Sequence, residues 1–235
     1  MTIRVQILDA GGFFRRREPM IRRTVKAAVG HVEAASDLTD VDLIVHPTDF
    51  GRDQFSIAAF TMGPHNIHVG VERSQLSSDD LEADLFRTTV HELHHAARWR
   101  HIKRWTVAEA VILEGLALLA DHEIAGPQDS TDRPLADVRT ALDYVVDHRA
   151  EKLEGHRNWL YTSEPEQPGA VPRIYTVGLL TMRAALKRLG LTPWGAASRD
   201  AEELMDAGLA ALDRADGCDW DHERRTDPLP ERRRA

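Results

Sequence analysis

Residues 91–95 read His91-Glu92-Leu93-His94-His95. Two histidines four residues apart, with a glutamate directly after the first, make the pattern H-E-x-x-H. On a helix of 3.6 residues per turn, His91 and His95 stand one above the other on a single face. Imidazoles so placed can hold one Zn²⁺ at about 2.0–2.1 Å. Glu92 is offset by one residue. It reaches a metal-activated water without being a ligand, which is where a general base must stand. His94 points away from the pair and is expected to be structural or to support a ligand.

The third ligand has two candidates. His101 lies at metzincin-type spacing, in the run His91-Glu92-x-x-His95-x-x-Arg98-x-x-His101. That pattern needs a glycine at position 98 to turn the chain sharply, and Arg98 stands there. A continuing helix carries His101 about 9 Å past His95, at about 1.5 Å per residue. The other candidate is Glu114, the acid in the apolar stretch AVILEGLALLA over residues 110–120. A carboxylate buried there needs a partner, and a metal supplies one. A short turn between two antiparallel helices brings Glu114 back toward His91 and His95, and Gly115 lets the backbone approach closely.

Eighteen residues separate His95 from Glu114. The run from Thr88 to His95, followed by Glu114-Gly115-Leu116-Ala117, resembles the gluzincin metallopeptidases with their HExxH-x18-E signature. More narrowly, HELHH followed by EGLA is similar to a family of predicted Zn-dependent proteases of undefined function. Tyr175-Thr176-Val177-Gly178 resembles that family's C-terminal helix. The resemblance implies a zincin-like fold, one Zn²⁺ per chain held by His91, His95 and Glu114, and Glu92 as the catalytic base. Thermolysin-like gluzincins carry an Asp four residues after the ligand Glu, to orient a ligand histidine. Here Leu118 stands at that place. Asp121, Asp84 and Glu109 are the alternatives, and the sequence does not choose among them.

The elements that must position these residues are legible as patterns. Residues 2–8, 41–45, 55–60 and 67–71 read as strands, with a turn at Met62 to Asn66. Apolar residues Ile21, Val25, Ala28, Val29 and Val32 recur at helical spacing after Pro19. The motif helix is expected over 78–99. Thr106-x-x-Glu109 fits a capping box that opens the next helix, which ends at Gly126-Pro127. Further helices are expected over 135–153, 174–189 and 201–212. The long segment 155–172 has the length of a lid. The fold class is α+β: a small N-terminal sheet with helices, then a mainly helical C-terminal lobe. Residues 1–217 are expected to form one domain, with a sheet and motif-helix lobe over 1–105 and a helical lobe over 106–217. The charged tail 218–235 is expected to be disordered.

Composition narrows the partners. The chain has 235 residues, with 30 basic and 38 acidic side chains, net −8. This argues against nucleic acid or an anionic membrane as a partner. No apolar run approaches the roughly 20 residues that span a bilayer, and the start lacks a signal-peptide pattern, so a cytoplasmic protein is expected. The single cysteine, Cys218, excludes an internal disulfide. As an inhibitory thiolate on zinc it is a remote candidate, since a tail cysteine is far more often incidental.

The expected function is hydrolysis of peptide bonds by a metal-activated water, with Glu92 as general base and a peptide or protein as substrate. Tyr175 is the first candidate to stabilise the oxyanion. His156, Tyr161 and His122 are lesser ones. The substrate is expected to add as a strand along 66–71, where His65 and His68 are candidate ligands or substrate contacts, although lone strand histidines are usually neither. Arg15–Arg17 reads as a solvated loop, with carboxylate binding as its alternative. The competing function class is a non-catalytic zinc-binding module: structural, sensor or chaperone-like. Glu92 separates the two, because a structural zinc site needs a fourth protein ligand and no base.

Overall fold

The computed structural model describes residues 3–49, 56–126, 138–162 and 172–215. The expected disordered tail with Cys218, and the part of the lid segment over 163–171, lie outside the described residues. Strands β1 (Arg4–Ile7), β2 (Asp42–Thr48), β3 (Ile57–Gly63) and β4 (Asn66–Glu72) form one sheet in the order β1-β2-β4-β3. The first two and β4 run parallel, and β3 is antiparallel to β4 across the Pro64-His65 turn. Leu43, Val45, Ile67, Val69 and Val71 are fully buried in one core with α1 (Glu18–Ala35). That helix contributes Ile21, Val25, Ala28, Val29 and Val32, the positions its spacing singles out.

The edge of the sheet is not where the sequence places it. Residues 66–71 belong to β4, which is paired on one side to β2 and on the other to β3. β3 is the edge strand next to the motif helix. Val69, Gly70 and Val71 are buried in succession, as in a central strand covered on both faces. Both arms of a hairpin read alike when only alternation is considered.

The motif lies on α2 (Leu81–Trp99), and α3 (Val107–Ala125) follows after a short turn. α3 is buried on nearly every side, as expected of a helix that is apolar all round. It packs against α2 and, on the other side, against α4 (Val138–His148), α6 (Arg173–Leu189), α7 (Pro193–Ala196) and α8 (Ala201–Ala215). One apolar core lies between the sheet, α1 and α2, and a second among α3, α4, α6 and α8. The architecture is therefore α+β, a small sheet with helices followed by a mostly helical part. Among the described residues, no helix is long and apolar enough to cross a membrane.

Two local features set where α3 sits. Its first N–H groups are met from outside the helix. Thr106 Oγ1 accepts from Glu109 N–H at 3.2 Å, the first half of the expected capping box. The second half is absent, because the Glu109 carboxylate turns to Arg98. The carbonyls of Glu151 and Arg149 accept from Val107 and Ala108 instead, at 3.1 and 3.0 Å. Those carbonyls are thereby turned toward α3, and α4 ends at His148 rather than running on to 153. The expected lid also contains a short helix, α5 (Arg157–Tyr161).

The second feature is the crossing of α3 and α6 at Gly115 and Gly178. A Cβ on Gly115 would stand 2.2 Å from the Gly178 carbonyl oxygen, and one on Gly178 would stand 2.7 Å from that of Val111. Glycine is required at this close approach. Gly115→Ala is expected to cost about 3 kcal/mol through overpacking. Gly30→Ala, on the exposed face of α1 with nothing within 4 Å, should add about 0.5–1 kcal/mol. Urea unfolding midpoints should move in opposite directions, and a shared direction would contradict the crossing.

Candidate metal centre

α2 presents His91 and His95 one turn apart, with ring centroids 4.5 Å from each other. The turn between α2 and α3 brings Glu114 opposite both. Glu114 Oε2 is 3.4 Å from His91 Nε2 and 3.4 Å from His95 Nε2. These separations exceed an ordinary N–H···O bond of about 2.7–3.2 Å. They match the edge of a tetrahedron, about 3.3–3.4 Å, around an ion bound at about 2.0–2.1 Å. Glu114 is buried, and its Oε2 has no hydrogen-bond partner. Its Oε1 accepts from the Tyr161 hydroxyl at 3.2 Å. Two imidazole nitrogens and one carboxylate oxygen are a donor set suited to Zn²⁺. By spacing, chemistry and the orphaned oxygen, the three side chains fit a metal.

Electrostatics bind the same three groups together. Burial opposes ionisation of Glu114, but the two imidazoles outweigh it and hold its pKa below the usual carboxylate range. Burial also opposes charge on His95, yet Glu114 and then Glu92 raise its pKa. Each group makes the burial of the other tolerable.

Glu92 sits beside the pair, and its carboxylate, His91 and His95 offer ligand atoms all within 4.8 Å of one another. The Thr61 hydroxyl on β3 lies 2.7 Å from Glu92 Oε2 and 3.0 Å from the Glu92 carbonyl, with one proton to donate between them. The sequence analysis misses Thr61. A strand threonine 31 residues before its partner carries no local signal. A cavity of about 520 Å³ opens on the site, lined by His91, Glu92, His95, Glu114, Tyr161 and Tyr175. Trp99, Trp105, Leu113 and Leu153 add apolar lining. Glu114, then burial and Glu92, push the Tyr175 pKa up; burial and Glu114 do the same for Tyr161. Both phenols are therefore protonated donors at neutral pH.

Other candidates fall elsewhere. His101 is exposed in the turn after α2. Arg98, where the metzincin pattern needs glycine, is fully buried and bonded to Glu109 at 2.7 Å and to the Ala197 carbonyl at 3.1 Å. His94 Nε2–H donates to the Pro193 carbonyl at 3.0 Å, and burial pushes its pKa down to about 3, so it is a neutral structural residue. Among the possible supporting acids, Glu109 is taken by Arg98. Asp84 is raised by burial and bonded to Ser56. Asp121 pairs with Arg87 at 2.8 Å, and burial raises its pKa against the pull of Arg87 and His91. Unlike Asp84, it feels a candidate ligand. His65 donates to the Asp40 carbonyl at 2.7 Å, and His68 stacks on Phe60. His122 does not line the cavity, and His156 joins a separate group with His148 and Glu151. In the turn before α1, Arg15 and Arg16 are exposed and Arg17 is half-buried.

No curated protein and no solved structure matches the chain. A family model described as Predicted Zn-dependent protease (DUF2268) matches residues 21–206. The match starts inside α1, takes in both motif helices and ends inside α8. The chain belongs to the DUF2268 family of predicted Zn-dependent proteases.

Proposed function

We propose that the chain is a zinc-dependent peptidase in which His91, His95 and Glu114 hold the metal and Glu92 is the general base. The observation that carries this reading is the placement of both imidazole Nε2 atoms 3.4 Å from an orphaned carboxylate oxygen, with a second acid, Glu92, beside them and a cavity in front. A zinc ion held there supplies Lewis acidity and lowers the pKa of a water toward about 7.

The chain's own residues do the rest. Glu92 takes the proton of the attacking water and delivers it to the leaving amine as the C–N bond breaks. Thr61 holds the Glu92 carboxylate toward the cavity. Tyr175 donates to the oxyanion that forms as water adds to the carbonyl. Tyr161 fixes Glu114 through Oε1 and leaves Oε2 for the metal. Ala59, Phe60 and Thr61 bring the backbone of β3 to the cavity rim. An extended peptide pairs there, on β3, because both sides of β4 are already occupied. The tryptophan and leucine lining suits an apolar substrate side chain. A non-catalytic zinc module would require neither a base nor an open cavity.

Glu92→Gln should keep the zinc and lose about 10³-fold in kcat/KM on a peptide library. Hydrolysis at the wild-type rate would rule out Glu92 as the base. Glu114→Ala should lower zinc content by one ion per chain in elemental mass spectrometry; unchanged content would remove Glu114 from the ligand set.

A further inference from the structure

A second group of donors converges away from the cavity. His148 ends α4, Glu151 lies in the following turn and His156 immediately precedes α5. Their ligand atoms lie within 4.8 Å of one another. His148 Nδ1 is 2.9 Å from Glu151 Oε1, and His156 Nε2 is 3.1 Å from Glu151 Oε2. The two imidazole centroids are 4.7 Å apart. The other nitrogen of His156, Nδ1, is 2.7 Å from the Tyr144 hydroxyl, and Tyr144 stacks on Trp159 at 3.7 Å. An outer partner of this kind fixes ring orientation and tautomer in metal-binding histidines. A phenol can accept as well as donate, so Nδ1 can keep the proton while Nε2 offers its lone pair.

We infer that His148, Glu151 and His156 form a second metal site, for a divalent ion of the zinc class. Two imidazoles and one carboxylate select such an ion over Ca²⁺ or Mg²⁺, which take oxygen ligands. A tetrahedral ion needs donor separations of about 3.3–3.4 Å. The two nitrogen–oxygen separations, 2.9 and 3.1 Å, are hydrogen bonds to different oxygens of Glu151, and an ion replacing them would need each to lengthen by a few tenths of an ångström. Glu151 is more than half exposed and His148 about one-third, which leaves room for that shift and for water in the remaining position.

The place of the site gives it a role. The turn it closes sends the Glu151 and Arg149 carbonyls to the first N–H groups of α3, the helix of Glu114. Leu153 N–H returns a bond to the Trp105 carbonyl at 3.1 Å. Just beyond the turn, Leu153, Glu154, Arg157 and Tyr161 line the cavity. An ion bound to all three side chains ties α4 to α5 and steadies this wall from behind. The inference does not depend on the peptidase reading.

The test is titration of the metal-free, full-length chain with zinc alone, followed by calorimetry, with circular dichroism to confirm folding. His91→Ala/His95→Ala should still bind one zinc. Adding His156→Ala, or separately the more exposed His148→Ala, should abolish that binding. Tyr144→Phe should weaken it about tenfold. If His91→Ala/His95→Ala binds no zinc, or binds it equally well with His148→Ala added, the second site does not exist. If wild type binds one zinc that is lost only with His148→Ala or His156→Ala, the second site stands and the catalytic centre falls.

Discussion

The structure depends on how charge is compensated along the face where α2 meets α3. The most apolar of the described helices, α3, carries three buried acids, Glu109, Glu114 and Asp121. Each would be intolerable alone in that setting. Each meets a nitrogen base from α2: Arg98 for Glu109, His91 and His95 for Glu114, Arg87 for Asp121. Going along α2 from 87 to 98, the partners descend along α3 from 121 to 109. The antiparallel pairing is therefore a ladder of three rungs. The outer rungs are closed by arginines. The middle rung has two imidazoles and leaves one carboxylate oxygen unsatisfied, and that is where a cation fits.

This register is held from both ends and from behind. At one end Arg98 reaches past Glu109 to the carbonyls of Ala197 and Arg199, so it anchors the hairpin turn to the segment before α8. At the other, Arg87 bonds the Ala125 and Gly126 carbonyls that close α3. Behind the ladder, the Gly115–Gly178 contact presses α3 against α6, which carries Tyr175. Glu114 and Tyr175 thus share one packing constraint, although 61 positions separate them in the chain.

What the sequence shows of this follows from the range of each interaction. His91, Glu92 and His95 are readable because a helix converts a spacing of four into one face. Glu114 is readable because an acid in an apolar helix needs an explanation. Ile21, Val25, Ala28, Val29 and Val32 lie on the predicted core face for the same periodic reason. Contacts that join distant segments leave no such trace. Thr61 reaches Glu92 only once β3 is laid beside α2. The choice of β3 over β4 as the edge depends on pairing with β2, far back in the chain. Arg98 looks like a defect in a metzincin pattern until its buried bonds to Glu109 and two carbonyls are seen. The second half of the Thr106 capping box fails for that reason: Glu109 has a stronger partner in Arg98 than in its own helix terminus.

The edge strand has a consequence beyond recognition. No described strand pairs with the outer side of β3, and its sequence, Ile-Ala-Ala-Phe-Thr-Met-Gly, contains no charged residue. Phe60 is 46% and Met62 61% exposed on it. Soluble proteins blunt such edges with lysine, proline or a bulge, because an open ladder of N–H and C=O groups accepts any extended chain. The register shift between Thr61 and Gly63 is the one such device on this strand. An uncharged open strand of this kind is equally able to pair with a second copy of the chain. Self-association at high concentration would therefore begin at the same strand that borders the cavity.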